Sequence, residues 1–258
     1  MKRTGFFAYG VACHALFLVV YAWFAAFVGG WPVAQSIDGP AALPAGAAAA
    51  VDLGLLALFA LQHSVMARPA FKRVWTRFVP QPIERSTYVL ASCLVTAAII
   101  WFWQPIDFTI WDVRDPVGRA LLWGLFVAGW LMVPAVSLMI HHFDLFGTRQ
   151  VWLHYRRQEY TSLPFRTRML YRYVRHPLYL GWALAFWATP TMTAGHLLLA
   201  ATLTVYMVGA SAIEERDLIA HFGRQYENYR RNVPGFVPRF TRAGSAQPGL
   251  APGGSGNA

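Results

Sequence analysis

The sequence predicts an all-α integral membrane protein: four transmembrane helices, then a C-terminal helical hairpin, with an interfacial cap on the cytoplasmic side. Three observations predict it. The 258 residues are 56% hydrophobic and only 13% charged, too apolar for a soluble domain of that size. Four apolar stretches are each long enough for one crossing of a bilayer core, and a fifth region is too long for one. The basic residues are segregated, with 20 of the 22 Lys and Arg in segments that successive crossings would leave on one side.

The first stretch runs from Phe6 to Val28 behind Lys2 and Arg3. It exceeds the apolar core of a cleavable signal peptide, so a retained helix is expected. Ala47 to Met66, Thr87 to Trp103 and Gly118 to Ile140 complete the four. Cys13 and Cys93 lie inside predicted spans without CxxC or zinc-ligand spacing, which implies neither a disulfide framework nor a metal cluster. The fifth region, Leu178 to Ile213, is interrupted by Thr189-Pro190-Thr191, because proline cannot continue a helix. Two arms near the lower limit of about 17 residues are expected, joined as a tight hairpin.

Two basic residues precede the first span, five lie in 68–85, seven in 149–175 and six follow Glu215, leaving Arg114 and Arg119 opposite. The positive-inside rule then places the N-terminus, the 67–86 loop, the 141–177 segment and the C-terminus in the cytoplasm. Loops 34–45 and 104–116 fall outside. The net charge of +10 is therefore topological and implies a lipid bilayer, not nucleic acid, as partner. Residues 1–238 read as one domain. Residues 239–258 turn to Gly, Ser, Pro, Ala and Gln with little to bury, and are expected to be disordered.

Chemistry-bearing residues gather at the cytoplasmic ends of the spans. In Arg175-His176-Pro177-Leu178-Tyr179-Leu180-Gly181, Pro177 suits a first helical turn and holds His176 extended. The helix N-terminus beside Arg175 suits an anion, and Gly181 admits a close neighbour. Glu214 and Glu215 end the second arm, where carboxylates at a membrane boundary need water or a partner. Tyr226 and Tyr229 share one helical face with Arg224, Arg230 and Arg231 nearby, as a headgroup anchor, a lid over a cofactor, or both. Gln62-His63-Ser64 ends the second span, and His141-His142-Phe143-Asp144 follows the fourth. Adjacent histidines do not share a helical face, so a base role for one of them, held by Asp144, is expected rather than a metal site.

The order of the heptapeptide at Arg175, Glu214-Glu215-Arg216-Asp217-Leu218, Gly223-Arg224-Gln225-Tyr226-Glu227-Asn228-Tyr229 and Val233-Pro234 resembles the isoprenylcysteine carboxyl methyltransferase-like (NnrU-like) superfamily of membrane methyltransferases. The resemblance implies a pocket for S-adenosyl-L-methionine, roofed from the cytosol. Tyr171, His176, Pro177, Leu178, Tyr179 and Gly181 would line it beside Arg175, with Glu214 or Glu215 as polar partner and Tyr226 and Tyr229 over it. Where many relatives carry a His-x-Leu-Val-type stretch, this chain has Leu163-Pro164-Phe165-Arg166, and no contact carries over there. Longer stretches, Gln62 to Pro69, Pro82 to Tyr88, His142 to Gly147 and Phe186 to Thr193, are similar to the bacterial methanethiol S-methyltransferases, which make dimethyl sulfide. That similarity covers roughly residues 1–238 and implies a multi-pass protein of the bacterial inner membrane acting on a small thiol. A base must take the thiol proton, since the thiolate is the nucleophile; His142 is the first choice, then His141 and His63. A prenylcysteine carboxylate or lipid acceptor, or an NADPH-dependent membrane reductase, are the alternatives.

Overall fold

The computed structural model describes residues 2–31, 35–165, 167 and 169–237, so the expected disorder of 239–258 lies outside the described residues. The described chain forms α1 (Lys2–Val28), α2 (Ala45–Ala67), α3 (Pro69–Trp75), α4 (Gln81–Phe102), β1 (Thr109–Asp112), α5 (Pro116–Ile140), α6 (His142–Leu145) and α7 (Thr148–Tyr155). After a 3-10 turn at Met169–Arg172 come α8 (Pro177–Trp187), β2 (Thr191–Thr193), α9 (Ala194–Phe222) and α10 (Arg224–Asn232). Five helices, α1, α2, α4, α5 and α9, are long and apolar enough to cross a membrane.

The first four of these coincide with the four apolar stretches and extend each by a few polar or small residues. Proline starts two of them: Pro82 at the head of α4 and Pro116 at the head of α5, where Asp115 Oδ2 accepts from the Gly118 N–H at 2.7 Å. The hairpin departs from expectation. Its break falls at Thr189-Pro190-Thr191, but the arms are unequal, 11 residues in α8 and 29 in α9. At 1.5 Å per residue α8 covers only about 16 Å of a core about 30 Å thick. α9 is long because Glu214 to Phe222 are good helix formers with no breaker before Gly223.

The all-α expectation also misses a two-stranded antiparallel ribbon, in which Thr109 pairs with Thr193 and Asp112 with Thr191. Strands of four and three residues are too short to carry a periodicity. The ribbon joins three loops at one end of the bundle: Thr191 Oγ1 donates to Asp112 at 3.0 Å, and Thr193 Oγ1 to Asp38 at 2.6 Å. The opposite end gathers the start of α1, the end of α2, the start of α4, α6, α7 and the end of α9. Tyr9 to Thr87 (3.1 Å), Ser64 to Tyr206 (3.1 Å) and Arg68 to Asp217 (2.7 Å) tie it together. The first residues of the chain and α10 therefore lie at the same end.

Outward-facing Leu61, Leu131 and Val205 are 63%, 64% and 74% exposed, an apolar surface suited to lipid. Inside, Phe24, Phe27, Trp103, Phe126, Trp130 and Phe186 form an aromatic core. Lipid is as apolar as leucine, so helix association rests on close packing and small residues. Gly129 shows this: a Cβ there would come within 2.5 Å of the Ala185 nitrogen and 2.8 Å of the Gly181 oxygen. The pair Gly181 and Ala185, one turn apart, thus lets α8 lie directly on α5 and fixes where the Arg175 motif begins.

Candidate active site

α8 starts as the sequence predicts, with Pro177 in its first turn and His176 as N-cap at φ −119°. The residues before it are tied to the chain's end: the Arg175 N–H donates to Pro234 O at 2.8 Å and the His176 N–H to Gly235 O at 3.0 Å. That is the work of Val233-Pro234. Pro177 has no N–H and the Tyr179 N–H folds back on His176 O at 3.1 Å. The open helix end expected for an anion therefore narrows to the N–H of Leu178, a half-buried residue.

Side chains set the charge of the site instead. Glu215 Oε1 accepts from Arg175 Nε at 2.8 Å and lies 2.9 Å from His176 Nε2, with Arg230 Nη1 at 3.9 Å from its other oxygen. Arg175 Nη1 also donates to the carbonyls of Arg230, at 2.9 Å, and Val233. The Glu215 side chain is 13% exposed and that of Glu214 48%. Neighbours on a helix point about 100° apart, so the two carboxylates take separate parts. Glu215 holds the motif together. Glu214, which accepts from the Tyr179 hydroxyl at 3.0 Å, is the carboxylate left open to a ligand.

The buried His176 ring packs against Tyr179 (5.2 Å between centroids) and Phe236 (5.3 Å), which lie 6.3 Å from each other, in a triangle of near-parallel rings, and such aromatic faces attract cations. Tyr229 donates to the Tyr171 carbonyl at 2.6 Å, and buried Tyr226 packs on Phe165. Burial raises all three phenols; the Glu214 carboxylate adds to this at Tyr171, Glu215 at Tyr226, pushed up to about 12, and Tyr226 at Tyr229. They stay protonated at neutral pH, so they act as donors and walls rather than bases. A Cβ on Gly181 would come within 3.3 Å of Met132 of α5, which makes Gly181 a packing contact.

The histidines expected to act as base fall into two separate centres. His142 starts α6, after His141 turns the chain at φ 155°, a costly conformation for a residue with a side chain. The turn folds His142 back onto α5, with Nδ1 2.7 Å from Ser137 Oγ and Nε2 3.0 Å from Nε2 of His14. His14 Nδ1 lies 2.9 Å from Thr148 Oγ1, and Ser137 donates to Pro134 O at 2.8 Å. With Ser137 as that donor, proton counting runs one way: Thr148 donates to His14, His14 to His142 and His142 to Ser137. Every ring nitrogen in the pair is used. Burial, and then the neighbouring His14, hold the His142 imidazole below its ordinary pKa. A cavity of about 30 Å³ beside it is walled by Phe17, Tyr21, Val133 and Phe146, all on α1, α5 or beyond α6.

Asp144 does not hold either histidine, contrary to the sequence expectation. It accepts from Arg149 at 2.9 Å and Tyr160 at 3.3 Å, because two residues along α6 its side chain points toward α7 and the chain that follows. The His141 ring makes no hydrogen bond among the described residues.

His63, the third choice, stands elsewhere, between α2 and α4. The Tyr88 hydroxyl is 3.0 Å from its Nδ1 and 2.9 Å from its Nε2, Ser92 Oγ is 3.4 Å from Nδ1, and Phe59 stacks on the ring at 5.2 Å. Next in sequence, Ser64 meets Tyr206 at 3.1 Å, on the helix α9 that also carries Glu214 and Glu215. α9 thus links the His63 centre to the Arg175 motif. Sequence reasoning assigned no role to His14, Tyr88 or Tyr206. His14 and Tyr206 sit in apolar runs without a motif, whereas Tyr88 closes the stretch from Pro82 to Tyr88. A basic surface cleft of about 640 Å³ beside Lys2, Arg3, Tyr155 and Arg157 holds none of these residues.

Comparison with known proteins agrees with this arrangement of motifs. The family described as NnrU protein matches residues 53–243. The chain is 50% identical over 238 residues to a methanethiol S-methyltransferase of Mycobacterium tuberculosis, covering 92% of this chain and 98% of the relative. It is 47% identical to one of Crocosphaera subtropica (92% and 93%) and 32% identical over 175 residues to human nurim (65% and 66%). No solved structure matches. A family profile spanning α2 to the end of the described chain, and half-identical relatives of nearly the same length, leave one assignment: the chain belongs to the NnrU family, alongside these methanethiol S-methyltransferases.

Proposed function

We propose that this chain methylates methanethiol to dimethyl sulfide, with S-adenosyl-L-methionine as methyl donor. The observation that carries the proposal is the bracket of Arg175, His176 and Glu215 with Glu214 and Tyr179 open beside it, in a chain half-identical to a methanethiol S-methyltransferase. The residues suit the donor. Glu214 is a free carboxylate for its amino or ribose groups, the Leu178 N–H suits its carboxylate, and Tyr179, Phe236 and His176 offer stacked faces to its adenine or cationic sulfur. When bound, the donor supplies a methyl group on a positively charged sulfur.

The chain's own contribution is positional. A thiolate and a sulfonium lose charge as they approach the transition state, so a site set among helix ends and lipid does not oppose the reaction. Holding the two in line supplies much of the rate. The thiol proton goes to a histidine of this end of the bundle, His142, His141 or His63 being the candidates. Tyr226 and Tyr229 of α10 roof the site from the side of the basic loops.

Residues 1–238 act as one membrane domain, with both termini and the cap formed by 141–176 in the cytoplasm of a bacterial inner membrane. The supporting observation is that 20 of 22 basic residues fall on one side. Four long crossings and the α8–α9 hairpin also return both ends of the chain to one face. The decisive test incubates purified protein with S-adenosyl-L-methionine and methanethiol and measures dimethyl sulfide in the headspace. Absence of product from folded protein would overturn the proposal.

A further inference from the structure

We infer that methanethiol binds and is deprotonated on the α2–α4–α9 face, where His63 takes its proton and Tyr88 positions His63. The inference rests on the proposed function and names the acceptor side of the same site.

Three features of His63 carry it. First, its hydrogen bonding is incomplete. The Tyr88 hydroxyl sits about equally far from both ring nitrogens, at 3.0 and 2.9 Å, and can bond only one at a time. Among the described residues the other nitrogen has only the long 3.4 Å contact to Ser92, if it is Nδ1, and no partner if it is Nε2. A proton acceptor needs such a free lone pair. Second, the ring is held in place by stacking on Phe59, which also meets Tyr206 edge-on at 6.2 Å. Third, α9 links His63 to the donor site: Tyr206, which bonds Ser64 at 3.1 Å and meets Phe59, lies on the same helix as Glu214, to which the Tyr179 hydroxyl donates.

The charged groups facing this region favour a thiolate. The Arg85 guanidinium stands over the Tyr88 ring at 5.8 Å, and Arg68 at the end of α2 pairs with Asp217 at 2.7 Å. The rings of Tyr88, Tyr179 and Tyr206 supply aromatic faces for a sulfonium between them. His142 lacks these features. Both of its nitrogens are taken by Ser137 and His14, and its small cavity receives no residue from α8 or α9.

The step balances as follows. The S–H bond of methanethiol breaks and its proton passes to the free nitrogen of His63. The resulting thiolate forms a carbon–sulfur bond to the donated methyl as the donor's own carbon–sulfur bond breaks. Dimethyl sulfide leaves as a neutral molecule, and His63 returns its proton to water near the helix ends.

The test is single-turnover methyl transfer across pH 6 to 10, with S-adenosyl-L-methionine affinity measured separately by calorimetry. His63→Ala should slow transfer by about 10²- to 10⁴-fold near neutral pH. The deficit should shrink as pH rises and should be partly restored by added imidazole, with cofactor affinity changed less than about threefold. Tyr88→Phe should cost about tenfold and move the pH midpoint. His142→Ala should transfer at close to the wild-type rate. His63→Gln, checked by thermal melting, separates lost chemistry from lost folding. A wild-type rate in folded His63→Ala and His63→Gln overturns the inference, as does loss of cofactor affinity in step with turnover, or a pH-dependent deficit in His142→Ala instead. Wild-type protein that makes no dimethyl sulfide would instead bring down the proposed function on which the inference rests.

Discussion

His63 and His142 occupy the same end of the bundle, each next to a hydroxyl and a second ring, yet the fold uses them differently. His142 has Ser137 on one nitrogen and His14 on the other. His63 has one tyrosine hydroxyl for two nitrogens. The first sits in the segment richest in histidine and acid, the second near the end of an apolar helix. What this teaches is that local density of titratable residues is a poor guide to chemistry. A histidine is available when the surrounding helices leave part of its hydrogen-bonding capacity unspent, and that depends on pairings far apart in sequence.

The largest effect expected on donor binding comes from the carboxylate at the centre of the Arg175 motif. Glu215→Ala leaves Arg175 and His176 without their common carboxylate in a poorly exposed setting, which costs about 2–5 kcal/mol where such a pair is broken. Affinity for S-adenosyl-L-methionine by calorimetry should fall at least about 30-fold. Glu214→Ala should weaken it without the loss of thermal stability that Glu215→Ala causes, since Glu214 pairs only with Tyr179 and lies 3.9 Å from His176. Equal melting losses in both variants would blur the division of labour drawn between them.

Next in size is a variant that reaches both histidine centres at once. Gly147, between α6 and α7, has φ +85°, and a Cβ there would come within 2.7 Å of the Ser86 nitrogen in the first turns of α4. Gly147→Ala meets both strain and backbone contact, about 1–3 kcal/mol for the strain alone. It should lower the melting temperature by several degrees and also slow methyl transfer, because Tyr88 lies two residues along from Ser86. His14→Ala, which touches only the His142 centre, should lower the melting temperature and spare transfer. Were His14→Ala the more damaging to transfer, the comparison would reverse.

The parts of the fold that depend on composition were readable in the chain. Apolar runs of bilayer length marked α1, α2, α4 and α5 to within a few residues, and Thr189-Pro190-Thr191 marked the break between α8 and α9. The unequal arms were not readable, because hydropathy falls at Ile213 while the helix continues through charged residues to Phe222. Nor was the ribbon, whose register depends on two loops 80 residues apart. At the site, the pairing of His176 with Glu215 was foreshadowed by the motif order, since one opens α8 and the other follows the apolar part of α9, about two turns before that helix ends. The contacts of His63 with Tyr88 and of His142 with His14 depend on which helices adjoin, and no spacing encodes that. Asp144 shows the opposite error: nearness in sequence to His142 suggested a partnership that α6 geometry gives to Arg149.

His142→Ala should cost stability in the middle of this range. It leaves Ser137, 2% exposed, without its ring partner and His14 without an acceptor. An unsatisfied buried polar group costs about 1–3 kcal/mol, so the melting temperature should fall by a few degrees while methyl transfer is preserved. His142→Asn, which keeps a polar atom near Ser137, should recover part of the loss. Full stability in His142→Ala would mean that the chain of hydrogen bonds from Thr148 to Ser137 contributes little, and that the difference between the two centres is not one of commitment.

The smallest effect is the pH dependence of that same centre. Burial, then His14, lowers the His142 pKa from its ordinary 6.5. The folded protein therefore binds a proton at His142 only at pH below that value, whereas the unfolded chain begins to bind one near 6.5. Between the two pKa values the unfolded state holds more protons, so stability rises with pH through this window and is lost as pH falls below about 6.5. Thermal melts of wild type should show this slope from pH 6.5 downward, and His142→Asn should show a shallower one, with the curves parallel above pH 7. His14 contacts the same ring and is the second cause of its lowered pKa, so His14→Ala should leave the start of the fall near pH 6.5, make it shallower and end it at a higher pH. Parallel curves for wild type and His142→Asn throughout would mean that the His142 proton is bound equally in folded and unfolded chains.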